Sequence, residues 1–344
     1  MNMNEKFTGT VHRGNETVAI VEDDQIVSVS EQAPIYLRKG GDFTEWLTDR
    51  GADTNRSYIR ILLKQLRLPQ MNILQGVKFV NAACITDTFW IKPKNKDIGY
   101  KDTIFHADNP YFKASLQGDA DIYELPVLLT PEVTNIGSFN KGWKNFNGEW
   151  FLYKTGSALE IFSELFTSNL AVILGLDAVQ YYMDSGFVVS KNFVPQGFCF
   201  EHAKSLIGED TSYKKNLDVF TDYGLQKEYL DLIFMDAIVR NGDRHEFNYG
   251  VMTDSRGVIK MAPNFDNNLS LFHNGVPSRL ARNDVMVTDF IEILDYADYK
   301  IPVMTAEILN EAINKSMDEY PVNVDKEVVF DFCMNAYLKI INRL

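Results

Sequence analysis

The segment between positions 243 and 266 contains a predicted β-hairpin with a polar stretch at each end. The loop Asp243-Arg244-His245-Glu246-Phe247-Asn248 leads into the first strand, and Asp266 follows the second. The tetrapeptide Asp254-Ser255-Arg256-Gly257 between the strands is typical of a turn. Because a hairpin returns the chain to its starting point, Asp266 should lie beside Asn248 although the two are far apart in sequence.

These residue types suit the binding of Mg²⁺ and phosphate. An amide oxygen from Asn248 and a carboxylate from Asp266 would form a site of hard oxygen donors, which Mg²⁺ prefers. Asp243 lies on the same loop and would be free to orient an attacking hydroxyl or to accept its proton. The alternative is that all three are ordinary turn-forming residues. We interpret His245 as a structural loop residue rather than as a general base. The order Asp, Asn, hairpin, Asp is that of a protein-kinase-like active site.

Upstream of this segment, the sequence contains a candidate phosphate site. A glycine-containing turn over 134–142 includes Gly137 and Ser138, and Asn147-Gly148 after it is a strong hairpin signal. The second strand of that hairpin ends at Lys154, from which a lysine side chain can reach nucleotide phosphates.

Two further elements complete the predicted nucleotide site. The next predicted helix, over 159–174, carries Glu164 at the edge of its inward face, where it could pair with Lys154. Glu160, one turn earlier, is the alternative partner. The strand pair that follows ends near Ser190 and Asn192, where an adenine-binding hinge would run.

Taken together, these motifs resemble the catalytic and metal-binding segments of HipA-like serine/threonine kinases, bacterial relatives of the protein and phosphoinositide kinases. The resemblance spans about residues 131–275 in order. The first 130 residues do not obviously match the N-terminal subdomain of the toxin kinase, so a toxin role is not implied. The matching motifs are Tyr153-Lys154-Thr155-Gly156, the stretch from Glu164 to Leu176, Asp243–Asn248 and Ala262–Asp266.

The resemblance assigns a role to each candidate residue, with ATP and Mg²⁺ as cofactors. Members of the family can autophosphorylate a serine in the glycine loop, for which Ser138 is the candidate and Thr134 the less favoured alternative. The implied roles are catalytic aspartate for Asp243, metal ligand for Asn248 and Asp266, phosphate contact for Lys154, and loop over the ATP phosphates for the turn at Gly137.

The predicted fold class is α+β, a two-lobed protein-kinase-like fold with an N-terminal α+β appendage and a helical C-terminal lobe. The predicted parts are an N-terminal subdomain over 1–125, a small lobe over 126–193 and a mainly helical large lobe over 194–344. Strands are also predicted over 17–21, 25–29, 178–182 and 186–190. Helices are predicted over 56–68 and over 226–240, the second ended by Asn241-Gly242. Helical structure is further predicted after Phe193 and in a tail from Thr305 that is broken near Pro321.

Charge limits the classes of partner. The chain has 34 Lys and Arg against 47 Asp and Glu, for a formal net charge of −13, so it is a poor general binder of nucleic acid or anionic membranes. A basic stripe on the helix predicted over 56–68 offers a docking face for an acidic partner or a nucleic acid, although an ordinary solvated face is the favoured interpretation. The stripe consists of Arg56, Arg60, Lys64 and Arg67.

The cysteines and the apolar segments indicate a cellular setting. The 3 cysteines are scattered with no CxxC pair, which argues against zinc and disulfides and fits a reducing cytoplasm. No signal peptide and no membrane-spanning run are expected from the sequence.

The leading functional hypothesis is ATP-dependent phosphoryl transfer to a Ser or Thr hydroxyl, on a protein substrate or on the kinase itself. One alternative is a lipid or small-molecule kinase on the same scaffold, which the negative charge disfavours at an anionic membrane. The other is a nucleotide-binding regulatory module without turnover.

Overall fold

A computed structural model describes residues 6–68, 72–118, 127–210, 212–271 and 284–343 as a mixed α+β protein. The chain forms two compact units. These compact units do not identify functional lobes, so the predicted boundaries of the N-terminal subdomain and the small lobe, at residues 125 and 193, stay predictions. The first unit comprises Met1–Thr155, Lys191–Glu201 and Met252–Val258, and the second comprises Gly156–Ser190, His202–Val251 and Ile259–Leu344.

The first unit is built on an antiparallel sheet of four strands, in the order Gln25–Val29, Glu16–Glu22, Gly9–Arg13 and Phe89–Pro93. Its core is formed by apolar residues of the sheet and of the helices that pack against it. The elements are β1 Gly9–Arg13, β2 Glu16–Glu22, β3 Gln25–Val29, α1 Ile35–Arg38, α2 Phe43–Asp49, α3 Ile59–Gln65, α4 Ile73–Phe79, β4 Phe89–Pro93, a 3₁₀ turn Tyr100–Asp102, α5 Phe112–Gln117, a 3₁₀ turn Pro131–Thr134, β5 Lys141–Phe146 and β6 Glu149–Lys154.

The hairpin predicted at Asn147-Gly148 is confirmed, and the strands predicted over 17–21 and 25–29 form a second hairpin. Asp23 and Asp24 join β2 to β3 with φ of 50° and 65°, a left-handed conformation that Asp tolerates better than most residues. Asn147 and Gly148 join β5 to β6 with φ of 52° and 89°, and two consecutive positive φ values suit the right-handed twist of the paired strands. This second turn sets the register that brings Lys154 to the strand end.

The helix predicted over 56–68 is shorter than expected, and the basic stripe is partly wrong. Helix α3 starts at Ile59, and Arg56 before it is 2% exposed and lies within 3.6 Å of Glu132. Arg56 therefore cannot belong to a solvated docking face. Arg60, Lys64 and Arg67 are exposed, and docking of an acidic partner on them stays a prediction.

In the second unit, most of the buried apolar residues lie on helices. From Gly156 onward, the elements of the chain are α6 Ala158–Ile173, β7 Tyr181–Asp184, β8 Phe187–Lys191, β9 Phe198–His202, α7 Lys204–Ile207, α8 Tyr213–Asp222, α9 Gln226–Val239, β10 Gly250–Asp254, β11 Ile259–Met261, α10 Val285–Ile293, α11 Ala306–Glu319 and α12 Lys326–Asn342.

Helix α6 confirms the helix predicted over 159–174. Ser157 caps its first turn, and the Glu160 carboxylate accepts a hydrogen bond from the Ser157 N–H at 2.6 Å, which completes a capping box. Gly175 follows the last turn with a φ of 74°, the left-handed conformation with which many helices end. The capping role of Glu160 disfavours it as the partner of Lys154.

Two expectations for the remaining elements are wrong. The chain after Phe193 forms strand β9 before it turns helical, and the left-handed residue that ends α9 is Arg240, with a φ of 50°, rather than Asn241-Gly242. The Arg240 guanidinium pairs with Asp284 at 3.0 Å, which anchors it in this conformation. The helical tail is confirmed as α11 and α12. No helix in the described ranges is both long and apolar enough to cross a membrane.

Glu201 on β9 is a buried carboxyl whose titration should be visible in the stability of the protein. Its Oε2 accepts a hydrogen bond from the Ile35 N–H at 2.8 Å, whereas its buried Oε1 has no hydrogen-bond partner among the described residues. Burial raises the pKa of Glu201 from 4.5 to about 7. Between these pH values the folded protein keeps a proton that the unfolded chain has released, so stability falls as pH rises through this window.

Glu201→Gln removes this titration. We expect the unfolding free energy of the variant, relative to the unchanged protein, to rise by on the order of 3 kcal/mol between about pH 4.5 and about pH 7.5. Urea unfolding at a series of pH values measures this difference, with Glu16→Gln on the exposed part of β2 as the control. A difference that stays constant with pH would contradict the prediction.

Candidate active site

Arg244 organises the polar loop that follows α9. Its Nε and Nη2 donate hydrogen bonds to the Asp236 carboxylate, both at 2.9 Å, and both side chains are almost completely buried. Burial raises the pKa of Asp236 against the opposing effect of the guanidinium. Because Asp236 lies on α9, this pair fixes the loop to the helix.

The same guanidinium holds both ends of the β10–β11 hairpin. Arg244 Nη1 donates to the carbonyl of Asn248, where the hairpin begins, and at 2.8 Å to the carbonyl of Phe265, just before Asp266. Its Nη2 donates to Asn267 Oδ1 at 2.7 Å. The backbones next to the two predicted metal ligands therefore converge on one side chain, in agreement with the return of the chain expected for a hairpin.

Asp243 and Asn248 contact each other directly. Asn248 Nδ2 donates to the Asp243 carbonyl at 2.7 Å and to its carboxylate at 3.3 Å. Because Nδ2 is used in this way, Oδ1 is the atom of Asn248 that is left for a cation. This orientation satisfies one requirement of a magnesium site, an amide that presents its oxygen.

Asp266 acts on Asp243 through its charge. Burial and the negative charge of Asp266 raise the pKa of Asp243 above its ordinary value, while His245 opposes the increase. His245 Nε2 lies 4.0 Å from the Asp243 carboxylate, and its Nδ1 accepts the Phe247 N–H at 3.2 Å, which agrees with a structural role for the ring. A carboxylate with a raised pKa is a better proton acceptor than an ordinary one.

Asp266 has an unusual backbone conformation. Its φ is 60°, in the left-handed region that non-glycine residues adopt rarely, and its N–H donates to the hydroxyl of Tyr181 at 3.4 Å. The next residue, Asn267, donates its N–H to the Glu164 carboxylate at 2.8 Å. Glu164 is thus buried against the segment that carries Asp266, and its predicted pairing with Lys154 stays a prediction.

The donor set fits Mg²⁺ bound together with phosphates better than a metal held by protein alone. In the described ranges no cluster of three or more His, Cys, Asp or Glu could hold a metal by itself. Asn248 and Asp266 supply one amide and one carboxylate oxygen. Mg²⁺ in nucleotide sites typically takes one or two protein carboxylates and completes its shell with phosphates and water.

In the first unit, the glycine turn and its lysines form a compact group. Gly137 has a φ of 108°, and a Cβ at this position would overlap the Lys141 ammonium. Lys141 and Lys154 are opposite each other in the β5–β6 register, and both are buried. Ser138 is exposed. Lys141 was missed in the sequence, although its position at the end of the glycine turn was a signal for it.

The two predicted hinge residues differ in their surroundings. Ser190 is buried on β8, opposite Tyr181 of β7. Asn192 donates its backbone N–H to Trp150 at 2.8 Å and its Nδ2 to the Ile85 carbonyl at 3.2 Å. It lines a cavity of about 270 Å³ in the first unit. The Asn192 N–H is therefore already used, and a nucleobase role for Ser190 and Asn192 stays a prediction.

The importance of Arg244 and Asp236 was not inferred from the sequence. The signal was present, because Asp236 interrupts an otherwise apolar stretch of α9, and a buried charge needs a partner. The partner could not be identified without the fold.

Comparison with solved structures shows that the chain has the fold of a HipA-like kinase. The match is to HipA of the Shewanella oneidensis MR-1 toxin–antitoxin system, solved in complex with HipB and operator DNA. It covers 98% of this chain and 96% of that chain, with a TM-score of 0.53 and 13% sequence identity. CtkA, a proinflammatory kinase of Helicobacter pylori, matches over 59% of this chain and 92% of that chain with 18% identity, but its TM-score of 0.42 is too low to support a fold assignment.

The structural match to HipA extends beyond the motifs. Its coverage of 98% takes in most of the first 130 residues, where the motifs show no resemblance to the toxin kinase. No protein-family model matches the sequence, and no curated protein is significantly similar to it. At 13% identity the likeness is one of fold alone.

Proposed function

We propose that the protein is an ATP- and Mg²⁺-dependent kinase that transfers a phosphoryl group to a Ser or Thr hydroxyl, on a protein substrate or on its own chain. The observation that carries the proposal is the polar site around Arg244. There the Asp243 carboxylate is hydrogen-bonded to Asn248 and lies within electrostatic reach of Asp266. The HipA-like fold supports the same conclusion.

Each residue of this site has a distinct part in the proposal. Asp243 would orient the attacking hydroxyl and accept its proton. Asn248 Oδ1 and the Asp266 carboxylate would hold Mg²⁺, which would neutralise the charge of the ATP phosphates. Positioning and charge neutralisation supply most of the rate in this chemistry.

The nucleotide-binding residues remain part of the proposal. Lys154 would contact the ATP phosphates together with the loop that contains Gly137 and Ser138, and Glu164 would orient the lysine. Ser190 and Asn192 belong to the adenine-binding segment. The two-lobed architecture, with parts over 1–125, 126–193 and 194–344, completes the proposal.

Incubation with γ-labelled ATP tests the proposal directly. We expect label to appear on the protein or on a generic protein substrate in the presence of Mg²⁺ and to be absent when EDTA removes the metal. Mass spectrometry locates the modified residue, and Ser138→Ala, compared with Ser28→Ala on the exposed β3, tests whether the loop serine accepts phosphate.

Other outcomes would point to the alternatives. Binding of ATP without transfer to any protein would favour a regulatory module. Labelling of phospholipid vesicles or metabolites, with no protein labelled, would favour a lipid or small-molecule kinase.

A further inference from the structure

The loop over 136–140 is flanked by Asn135 and by residues 141–143, which we call its two stems. One buried side chain, that of Arg56, binds both stems. Arg56 Nη1 donates to the carbonyl of Asn135, immediately before the loop, at 3.1 Å. Its Nη2 donates to the carbonyl of Lys141, immediately after the loop. The two carbonyls that flank the loop are therefore bound by one guanidinium.

Further contacts close the network around this guanidinium. Ser115 Oγ donates to the Lys141 carbonyl at 2.9 Å and accepts a hydrogen bond from Arg56. The Glu132 carboxylate lies 3.6 Å from Arg56 and accepts hydrogen bonds from Asn135 Nδ2 at 3.0 Å and from the Trp143 N–H at 2.7 Å. Glu132 thus also binds both stems, one through Asn135 and the other through Trp143.

Burial makes this network sensitive to small changes. Arg56 is 2% exposed and Glu132 is 0% exposed. Burial raises the pKa of Glu132 and lowers that of Arg56, and the attraction between the two groups opposes both shifts. A planar guanidinium can bind two carbonyls and a carboxylate at once, which an ammonium cannot do with the same geometry.

The network also reaches the strand that carries Lys154. The Asn140 carbonyl, at the end of the loop, accepts the Thr155 N–H at 3.0 Å and the Thr155 hydroxyl at 3.2 Å. Lys141 is paired in register with Lys154. A displacement of the Lys141 stem would therefore change the position of the loop relative to both lysines.

We propose that Arg56 and Glu132 are positioning residues that fix the loop over 136–140 in the shape needed to receive nucleotide phosphates. This inference rests on the proposed function for the role of the loop. The N-terminal region supplies Arg56 and Ser115, so the proposal gives this region the task of fixing the conformation of the phosphate loop.

Arg56→Lys tests the proposal because it keeps the positive charge but removes the planar guanidinium that binds two carbonyls at once. In hydrogen–deuterium exchange without nucleotide, we expect faster exchange at 136–143 and little change in the remainder of the chain. The affinity for a non-hydrolysable ATP analogue with Mg²⁺ should fall about tenfold, as expected for the loss of a hydrogen bond to a charged group. Arg60→Lys, on the exposed face of α3, is the matched control and should change neither quantity.

Ser115→Ala is a milder second variant in case Arg56→Lys does not fold. It removes one of the two donors to the Lys141 carbonyl and should produce the same effects at smaller size. Faster exchange at the loop with unchanged analogue affinity would overturn the proposal, and so would equal effects of Arg56→Lys and Arg60→Lys. If the unchanged protein binds no nucleotide, the proposed function fails, and the exchange measurement alone decides whether Arg56 holds the loop.

Discussion

Asp266→Asn is expected to abolish Mg²⁺-dependent phosphoryl transfer from ATP while the fold is retained. The substitution replaces a carboxylate ligand by a neutral amide, which weakens the attraction for a divalent cation. The fold should survive because Asn, like Asp, tolerates the left-handed backbone that position 266 adopts with a φ of 60°. Transfer of label from γ-labelled ATP measures activity, and circular dichroism with thermal unfolding checks the fold.

Asp298→Asn is the matched control, because Asp298 is an exposed carboxylate and has no part in the proposed site. This variant should label at the rate of the unchanged protein over a series of Mg²⁺ concentrations. If Asp266→Asn still labels itself or a generic substrate at that rate, the assignment of position 266 as a metal ligand is wrong. The same result would remove the main support for the kinase proposal.

Arg244→Met should destabilise the protein by about 3–5 kcal/mol, the usual cost of removing one partner of a buried ion pair. The Asp236 carboxylate would be left buried without its main partner, and the carbonyls of Asn248 and Phe265 would lose a donor. Urea unfolding of the variant and of the unchanged protein measures the difference. Activity should also be lost, because both ends of the hairpin depend on this side chain.

Two comparisons give this prediction its controls. Lys227→Met removes the exposed cation of the Lys227–Asp231 pair on α9 and should change stability by less than about 0.5 kcal/mol. The double variant Asp236→Leu with Arg244→Met should lose less unfolding free energy than the two single variants lose in sum, because it leaves no buried charge without its partner. A cost for Arg244→Met no larger than that for Lys227→Met would contradict the structural role of Arg244.

The features that could be predicted from the sequence depend on residues close to one another in the chain. The Asn147-Gly148 turn and the break in the helical tail near Pro321 are examples, because turns and helix ends are decided by a few neighbouring residues. The order of Asp243, Asn248 and Asp266 around a hairpin could also be predicted, because the three residues lie in one continuous stretch of the sequence. Their roles in catalysis stay predictions.

The sequence by itself thus determined the local elements and the order of polar residues that indicates a phosphate and metal site. Only the tertiary structure decided which charges are buried and what they hold. Its spacing predicts Arg56 on a solvated stripe, yet the residue is buried against Glu132 and binds both stems of the glycine loop. The physical reason is that a charge can be buried only where partners from distant parts of the chain satisfy it, and those partners meet only in the folded protein.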